Sequence, residues 1–123
     1  MARATVRITA NFHRNLEEIR QFLAENDAGR AFDALLDRVF DNAIPNLERF
    51  PELGKDFLAR GPRSAEGLAL FNKVKKRLGR GFALREYITG DTIVLYAVRG
   101  REVFLLCIRN HRQMSFDFRN VWR

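Results

Sequence analysis

Residues 82–109 read FALREYITGDTIVLYAVRGREVFLLCIR, and this stretch decides the fold. It divides into three runs rich in β-branched and aromatic residues, Phe82 to Thr89, Thr92 to Arg99 and Glu102 to Arg109. Only Gly90-Asp91 and Gly100-Arg101 separate them. Two-residue linkers that open with glycine join adjacent antiparallel strands, because glycine takes the positive φ that a tight hairpin demands. The three runs therefore form an antiparallel meander. The last of them, Val103-Phe104-Leu105-Leu106-Cys107-Ile108, is apolar at every position. A strand of that kind is central and covered on both faces, or covered on one face and bordering a partner.

Upstream, Arg3 to Thr9 alternates around Val6 and Ile8, the pattern of a short strand. Thr9 or Asn11 can cap the helix that follows, its side chain accepting from a free first-turn amide. In that helix Phe12, Leu16, Ile19 and Leu23 make an apolar stripe that Phe22 widens. Asn26-Asp27-Ala28-Gly29 interrupts it, and Asp27 is the expected cap of a second helix. Ala28, Phe32, Leu35, Leu36, Val39, Phe40, Ala43, Leu47 and Phe50 trace the second stripe. Two helices so close in sequence pack as an antiparallel hairpin. Pro45 lies inside the second stripe, where it lacks an amide donor and crowds the carbonyl four residues earlier, so a kink or a restart is expected there. Pro51 and Gly54 end the helical region, and residues 56–63 read as loop. Ser64 to Leu78 reads as a third, shorter helix, with Leu70, Phe71, Val74 and Leu78 on one side and Lys73, Lys75, Lys76 and Arg77 on the other.

The expected architecture is α+β. An N-terminal strand and an antiparallel two-helix hairpin precede a three-stranded meander, which completes one sheet packed on the helices. An extra short basic helix precedes the meander. The chain of 123 residues fits a single domain, 1–123, with residues 110–123 as a C-terminal tail. With 46% hydrophobic residues it can bury a core without disulfides. Its single cysteine, Cys107, sits in an apolar run, so neither a disulfide framework nor a cysteine-based zinc site can be drawn. No metal-ligand spacing, phosphate-cradling glycine loop or nucleophile elbow occurs, and no cofactor and no metal are expected. The apolar runs are too short to cross a bilayer and no signal segment is evident, so a soluble, cytoplasmic protein with no membrane partner is expected.

The formal charge of +7 is unevenly placed. Residues 1–56 hold eight basic and ten acidic groups, a net of −2, whereas residues 57–123 hold fourteen basic and five acidic groups, a net of +9. Such a block suits a surface that meets phosphate or an acidic protein. It also suits a merely solubilising surface. The basic surface expected from the third helix comprises Lys73, Lys75, Lys76, Arg77 and Arg80.

Several short motifs occur in a telling order: Ile8-Thr9-x-x-Phe12 and Leu16-Glu17-x-Ile19 at the hairpin entry, and Pro51-x-x-Gly54 after the second helix. Leu84-Arg85 opens the meander, Leu95-Tyr96-x-Val98 lies in its middle strand, and His111-Arg112 follows its last strand. With the order of elements, they make the chain resemble the RelE/ParE superfamily of bacterial toxins from type II toxin–antitoxin modules, the plasmid-stabilisation type. Two departures are the longer stretch between Gly54 and Leu84, with its basic insert 63–81, and the aromatic tail through Phe116, Phe118 and Trp122.

The resemblance implies one of two activities. RelE-like members are ribosome-dependent endonucleases that cut messenger RNA, and ParE-like members poison DNA gyrase with no known nuclease centre. The long hairpin running to Phe50 looks more like ParE, which implies no catalytic residues and growth inhibition through gyrase. The RelE-like alternative needs a proton acceptor, a proton donor and cations aimed at phosphate. His111 next to Arg112 is its only titrating candidate in the basic half. Arg85 and Arg109 would stabilise phosphate, with Tyr87, Tyr96 or Asp117 assisting.

Each of these residues also has a plain reading. His111 can simply close the last strand, and Arg85 can neutralise Glu86 or hold the tail across the sheet. Tyr96 can be core with its hydroxyl bonded at the sheet edge. The tail aromatics can fold back on the sheet rather than stack on bases. The resemblance further implies a cognate antitoxin, for which the helical hairpin 12–50 and an open sheet edge are suitable receptors, individual residues being undetermined. A third alternative is a non-toxic remnant that only binds antitoxin or nucleic acid.

Overall fold

The computed structural model describes residues 3–57 and 65–110. It shows an α+β fold in which one five-stranded mixed sheet packs on helices. Strand β1 (Thr5–Ile8) leads into α1 (Ala10–Glu25). The chain returns through α2 (Gly29–Asp37), a π-helical segment (Arg38–Ala43) and α3 (Ile44–Arg49). A two-residue strand β2 (Lys55–Asp56) precedes α4 (Ala65–Leu78), and the meander follows as β3 (Ala83–Thr89), β4 (Thr92–Arg99) and β5 (Glu102–Asn110). The sheet order is β1-β5-β4-β3-β2, with β1 parallel to β5 and the other pairs antiparallel. At both tight turns the glycine has positive φ, 59° at Gly90 and 58° at Gly100, and the residue after it does not, which is the type II′ pattern.

The central parts of β4 and β5 are apolar on both sides because the sheet is covered on both sides there. Val94, Tyr96, Val98, Val103, Leu105 and Ile108 pack against Phe12, Leu16, Leu35, Val39 and Leu47 of the helical hairpin. On the opposite face Leu84, Leu95, Ala97, Phe104, Leu106 and Cys107 pack against Leu70 and Val74 of α4. The basic insert is thus the lid of a second core. Arg99 fastens it, donating to the Leu78 carbonyl at 2.6 Å while meeting Glu102 at 2.9 Å. The same contact with Arg99 holds the Glu102 carboxyl below its usual range.

Pro45 is accommodated by a local change of helical register. The Ile44 amide donates to the Val39 carbonyl five residues back, so the chain widens into a π turn, and Pro45 then lies in the first turn of α3, where no intrahelical amide is required. The extra residue in that turn has a second effect. Leu35, Val39, Ala43 and Leu47 recur every four residues and would drift around a regular α-helix of 3.6 residues per turn, yet all four are buried. The second stripe is therefore one continuous helical path in three segments rather than a regular helix. Two local expectations are corrected. Asp27 does not cap α2: it takes a left-handed φ of 54°, and Ala28 occupies the cap position with no side-chain bond. The loop after Gly54 begins with β2, because Lys55 and Asp56 pair with Glu86 and Arg85 on β3.

A β-bulge shapes the middle of the sheet. Leu95 pairs with Cys107 and Tyr96 with Leu105, which leaves Leu106 as the extra residue on β5. Strand β1 reaches only as far as Leu105, so the edge of β5 beyond that point needs other partners. Helix α1 supplies them from asparagines one turn apart. Asn11 Nδ2 donates to the Leu106 carbonyl at 2.9 Å, and Asn15 Oδ1 accepts from the Ile108 amide at 3.2 Å. Thr9 joins in: its hydroxyl donates to the Leu105 carbonyl at 2.8 Å and accepts from the Phe12 amide at 3.3 Å, capping α1.

Replacing Asn15 with alanine strands the buried Ile108 amide, and urea denaturation should show a loss of about 1–3 kcal/mol. Asn72→Ala on the exposed side of α4 should stay within about 0.5 kcal/mol of the parent.

Candidate functional site

Four of the residues that the motifs single out, Pro51, Gly54, Arg85 and Tyr96, meet at one turn. Tyr96 is fully buried in the middle of β4, on the face that carries the helical hairpin. Its hydroxyl donates to the Pro51 carbonyl at 2.8 Å and accepts from the Gly54 amide at 2.9 Å. Arg85, directly opposite Tyr96 on β3, donates through Nη1 to the Gly54 carbonyl at 2.6 Å and to the Glu52 carbonyl at 3.2 Å. The turn from Pro51 to Gly54 is therefore clamped by one phenol and one guanidinium. Gly54 is required by space: a Cβ there would sit 2.5 Å from the Glu86 carbonyl oxygen and 2.8 Å from the Tyr96 ring and hydroxyl. Burial pushes the Tyr96 phenol above its ordinary pKa, and the Gly54 amide and the nearby Arg85 charge oppose that shift only in part.

Tyr87 makes a parallel strap one turn of chain away. Its hydroxyl donates to Asn42 Oδ1 and accepts from Asn46 Nδ2, each at 2.9 Å, tying the π segment and α3 to β3. Sequence reading missed both asparagines, as it missed Asn11 and Asn15 as strand partners. The available signal was their four-residue spacing inside helices, which places each pair on one side.

The bulge decides what Arg109 can reach. Strict alternation from Val103 would set Arg109 on the face of Tyr96 and Arg85. With Leu106 inserted, Ile108 returns to the hairpin face and Arg109 turns to the α4 side, opposite Ile93. The structure thus brings Arg85 and Tyr96 together and keeps Arg109 apart from them across the sheet. His111, Arg112, Asp117 and the tail aromatics lie outside the described residues. Nothing in the Arg85–Tyr96 pair resembles an acid–base couple, since both side chains are bonded to main-chain groups of the turn.

Beside the clamped turn lies an open groove of about 510 Å³, bordered by Arg49, Phe50, Leu53 and Arg101. Phe50 and Leu53 are both more than half exposed. Farther along the helical side, Phe22 and Phe40 also face solvent. On the other face of the sheet, α4 exposes Lys73, Lys75, Lys76 and Arg77, and Arg80 follows just past Gly79. The three cations of the last turn suit the negative end of the helix dipole. No group of acidic, histidine or cysteine side chains among the described residues is placed to hold a metal ion. No helix among them is long and apolar enough to cross a membrane.

Gly54→Ala should be destabilised by roughly 1–3 kcal/mol in denaturant titrations, because the close neighbour is backbone that cannot step aside. Tyr96 also gives a pH signature. Its folded pKa is raised, so its contribution is complete below the unfolded value near 10 and is lost as pH rises through the folded value. Stability measured across the alkaline range should fall more steeply for the parent than for Tyr96→Phe, which cannot ionise.

A comparison with protein-family models finds no match, and a comparison with curated proteins likewise finds none.

Proposed function

We propose that the chain is a RelE/ParE-like toxin of a type II toxin–antitoxin module, acting in the ParE manner. It would bind DNA gyrase in the bacterial cytoplasm, stop growth, and be neutralised by a cognate antitoxin. The observation that carries the reading is the architecture around the clamped turn. A strand parallel to the last strand of a meander feeds a helical hairpin whose second arm stays helical from Gly29 to Arg49 and ends in the Pro51–Gly54 turn.

Two features favour the gyrase mode over messenger RNA cleavage on the ribosome. Arg85 and Tyr96 are occupied in holding the turn, and Arg109 lies on the other face of the sheet. Surfaces suited to an antitoxin are present as well. Phe22 and Phe40 are exposed on the helical side, and β2 covers β3 at only two positions, so no strand among the described residues pairs with the outer edge from Tyr87 to Thr89. That edge can accept an added strand through main-chain bonds.

Inducing the chain alone in bacteria should arrest growth and accumulate cleaved gyrase–DNA complexes, and co-expression of the antitoxin should reverse both. Normal supercoiling by gyrase mixed with toxic purified protein would sink the reading. New 5′ ends in translated transcripts, lost on His111→Ala, would establish the RelE-like alternative. Tight antitoxin binding without growth arrest would identify a non-toxic remnant.

A further inference from the structure

The helical insert before the meander has a side that the second core does not use. Leu70 and Val74 are fully buried against the sheet, and Phe71 and Leu78 are half-buried beside them. The rest of α4 presents Asn72, Lys73, Lys75, Lys76 and Arg77 to solvent, and exposed Arg80 follows. From Gly67 to Arg85 the chain contains no carboxylate, and over the whole helical hairpin (residues 10–49) acidic groups outnumber basic ones. Among the described residues, the helical hairpin thus carries an acidic excess, whereas the charged side chains that α4 exposes from Leu68 onward are all cations.

We infer that this side of α4 is a binding surface for the phosphate backbone of double-stranded DNA. The chemistry discriminates between kinds of anionic partner. A protein partner needs a buried apolar or aromatic anchor at the centre of its interface. Among the described residues of α4, Leu68 near its start is the only exposed large apolar side chain. Single-stranded nucleic acid is held by aromatic platforms on which bases stack. Among the described residues, the rings on α4 and just past it are packed together, Phe71 lying against Phe82 with ring centroids 5.1 Å apart. What remains is a row of flexible cations with almost nothing apolar, which suits sequence-independent contact with duplex phosphates driven by release of counterions. The choice of DNA rather than duplex RNA rests on the gyrase reading, since gyrase works on a DNA duplex. Contact through α4 would let the toxin hold enzyme and substrate at once. Lys73 and Arg77 already have interactions of their own within the chain, so the inference stands on Lys75, Lys76 and Arg80.

The test uses the full chain without gyrase, so that it separates this surface from the gyrase reading. Anisotropy of a short labelled DNA duplex is titrated over about 50–200 mM KCl. The parent should bind with a steep negative slope of log affinity against log salt. Lys75→Gln, Lys76→Gln and Arg80→Gln combined should weaken binding by about tenfold or more and flatten the slope by about 2–3, near 0.9 for each lost phosphate contact. Arg30→Gln, an exposed cation on the hairpin side, should change neither. A thermal melt unchanged by the triple substitution shows that folding is intact, and the exposed positions permit it. The inference is overturned by absence of duplex binding, by an unchanged slope in the triple variant, or by equal or tighter binding of single-stranded DNA, duplex RNA or polyglutamate. If duplex binding is lost while gyrase poisoning persists, α4 is a DNA contact separate from the gyrase contact. If gyrase is unaffected by a parent that binds duplex, the gyrase reading fails and this surface stands.

Discussion

Between Val103 and Ile108 the strand β5 has no polar side, and the rest of the molecule is arranged to satisfy that fact. From Val103 to Ile108 every side chain is at least nine-tenths buried, so neither face of the sheet can be left to water. Helices α1 to α3 cover one face and α4 the other. Burying a strand so completely also buries its main chain, and each unpaired amide or carbonyl there would cost about as much as a core side chain contributes. The parallel strand β1 serves the first half of the β5 edge, and the side chains of Thr9, Asn11 and Asn15 serve the second. Polar residues on the packed side of α1 are thus part of the sheet's hydrogen bonding rather than flaws in an amphipathic pattern.

The same economy explains the clamped turn. The second arm of the hairpin must leave the sheet, reverse and return as β2, and the turn that does so sits over the middle of β4. A phenol is long enough to reach from the buried face to that turn, and its hydroxyl can both donate and accept, so Tyr96 meets the Pro51 carbonyl and the Gly54 amide together. The Arg85 guanidinium adds donation from Nη1 to the Glu52 and Gly54 carbonyls of the same turn. Tyr96 and Arg85, two residues with the chemical range for catalysis, are here bonded to the main chain of the turn.

Much of this was legible in the sequence, and the limits are physical. The meander could be read because glycine-led turns and β-rich runs are local signals, and the apolar run Val103–Ile108 left two options, cover on both faces or on one face beside a partner, of which the structure shows the first. The conflict at Pro45 was legible too, but not its resolution, since a kink, a restart and a π turn all relieve the same clash. Strand β2 was not legible, because Lys55 and Asp56 carry no strand preference and become a strand only through pairing with β3. At the candidate site, Tyr96 as a core residue with a bonded hydroxyl could be anticipated, whereas the separation of Arg109 from Arg85 could not. That separation comes from a one-residue bulge, and an all-apolar strand holds no alternation from which a shift of register could be seen.

The bulge also bears on how the two halves of the charge distribution relate. By turning Arg109 toward α4 it moves one more cation from the hairpin face to the positive side of the sheet. The acidic hairpin and the basic helix are then separated by the thickness of a sheet and two layers of apolar side chains, where screening by salt is weakest. A molecule polarised in this way approaches a charged partner in a preferred orientation. An acidic or polyphosphate surface would meet α4 first and leave the hairpin, its exposed phenylalanines and the groove beside the Pro51–Gly54 turn turned outward. The cations of α4 and the exposed phenylalanines of the hairpin thus lie on opposite faces of the sheet, where contact at one leaves the other open.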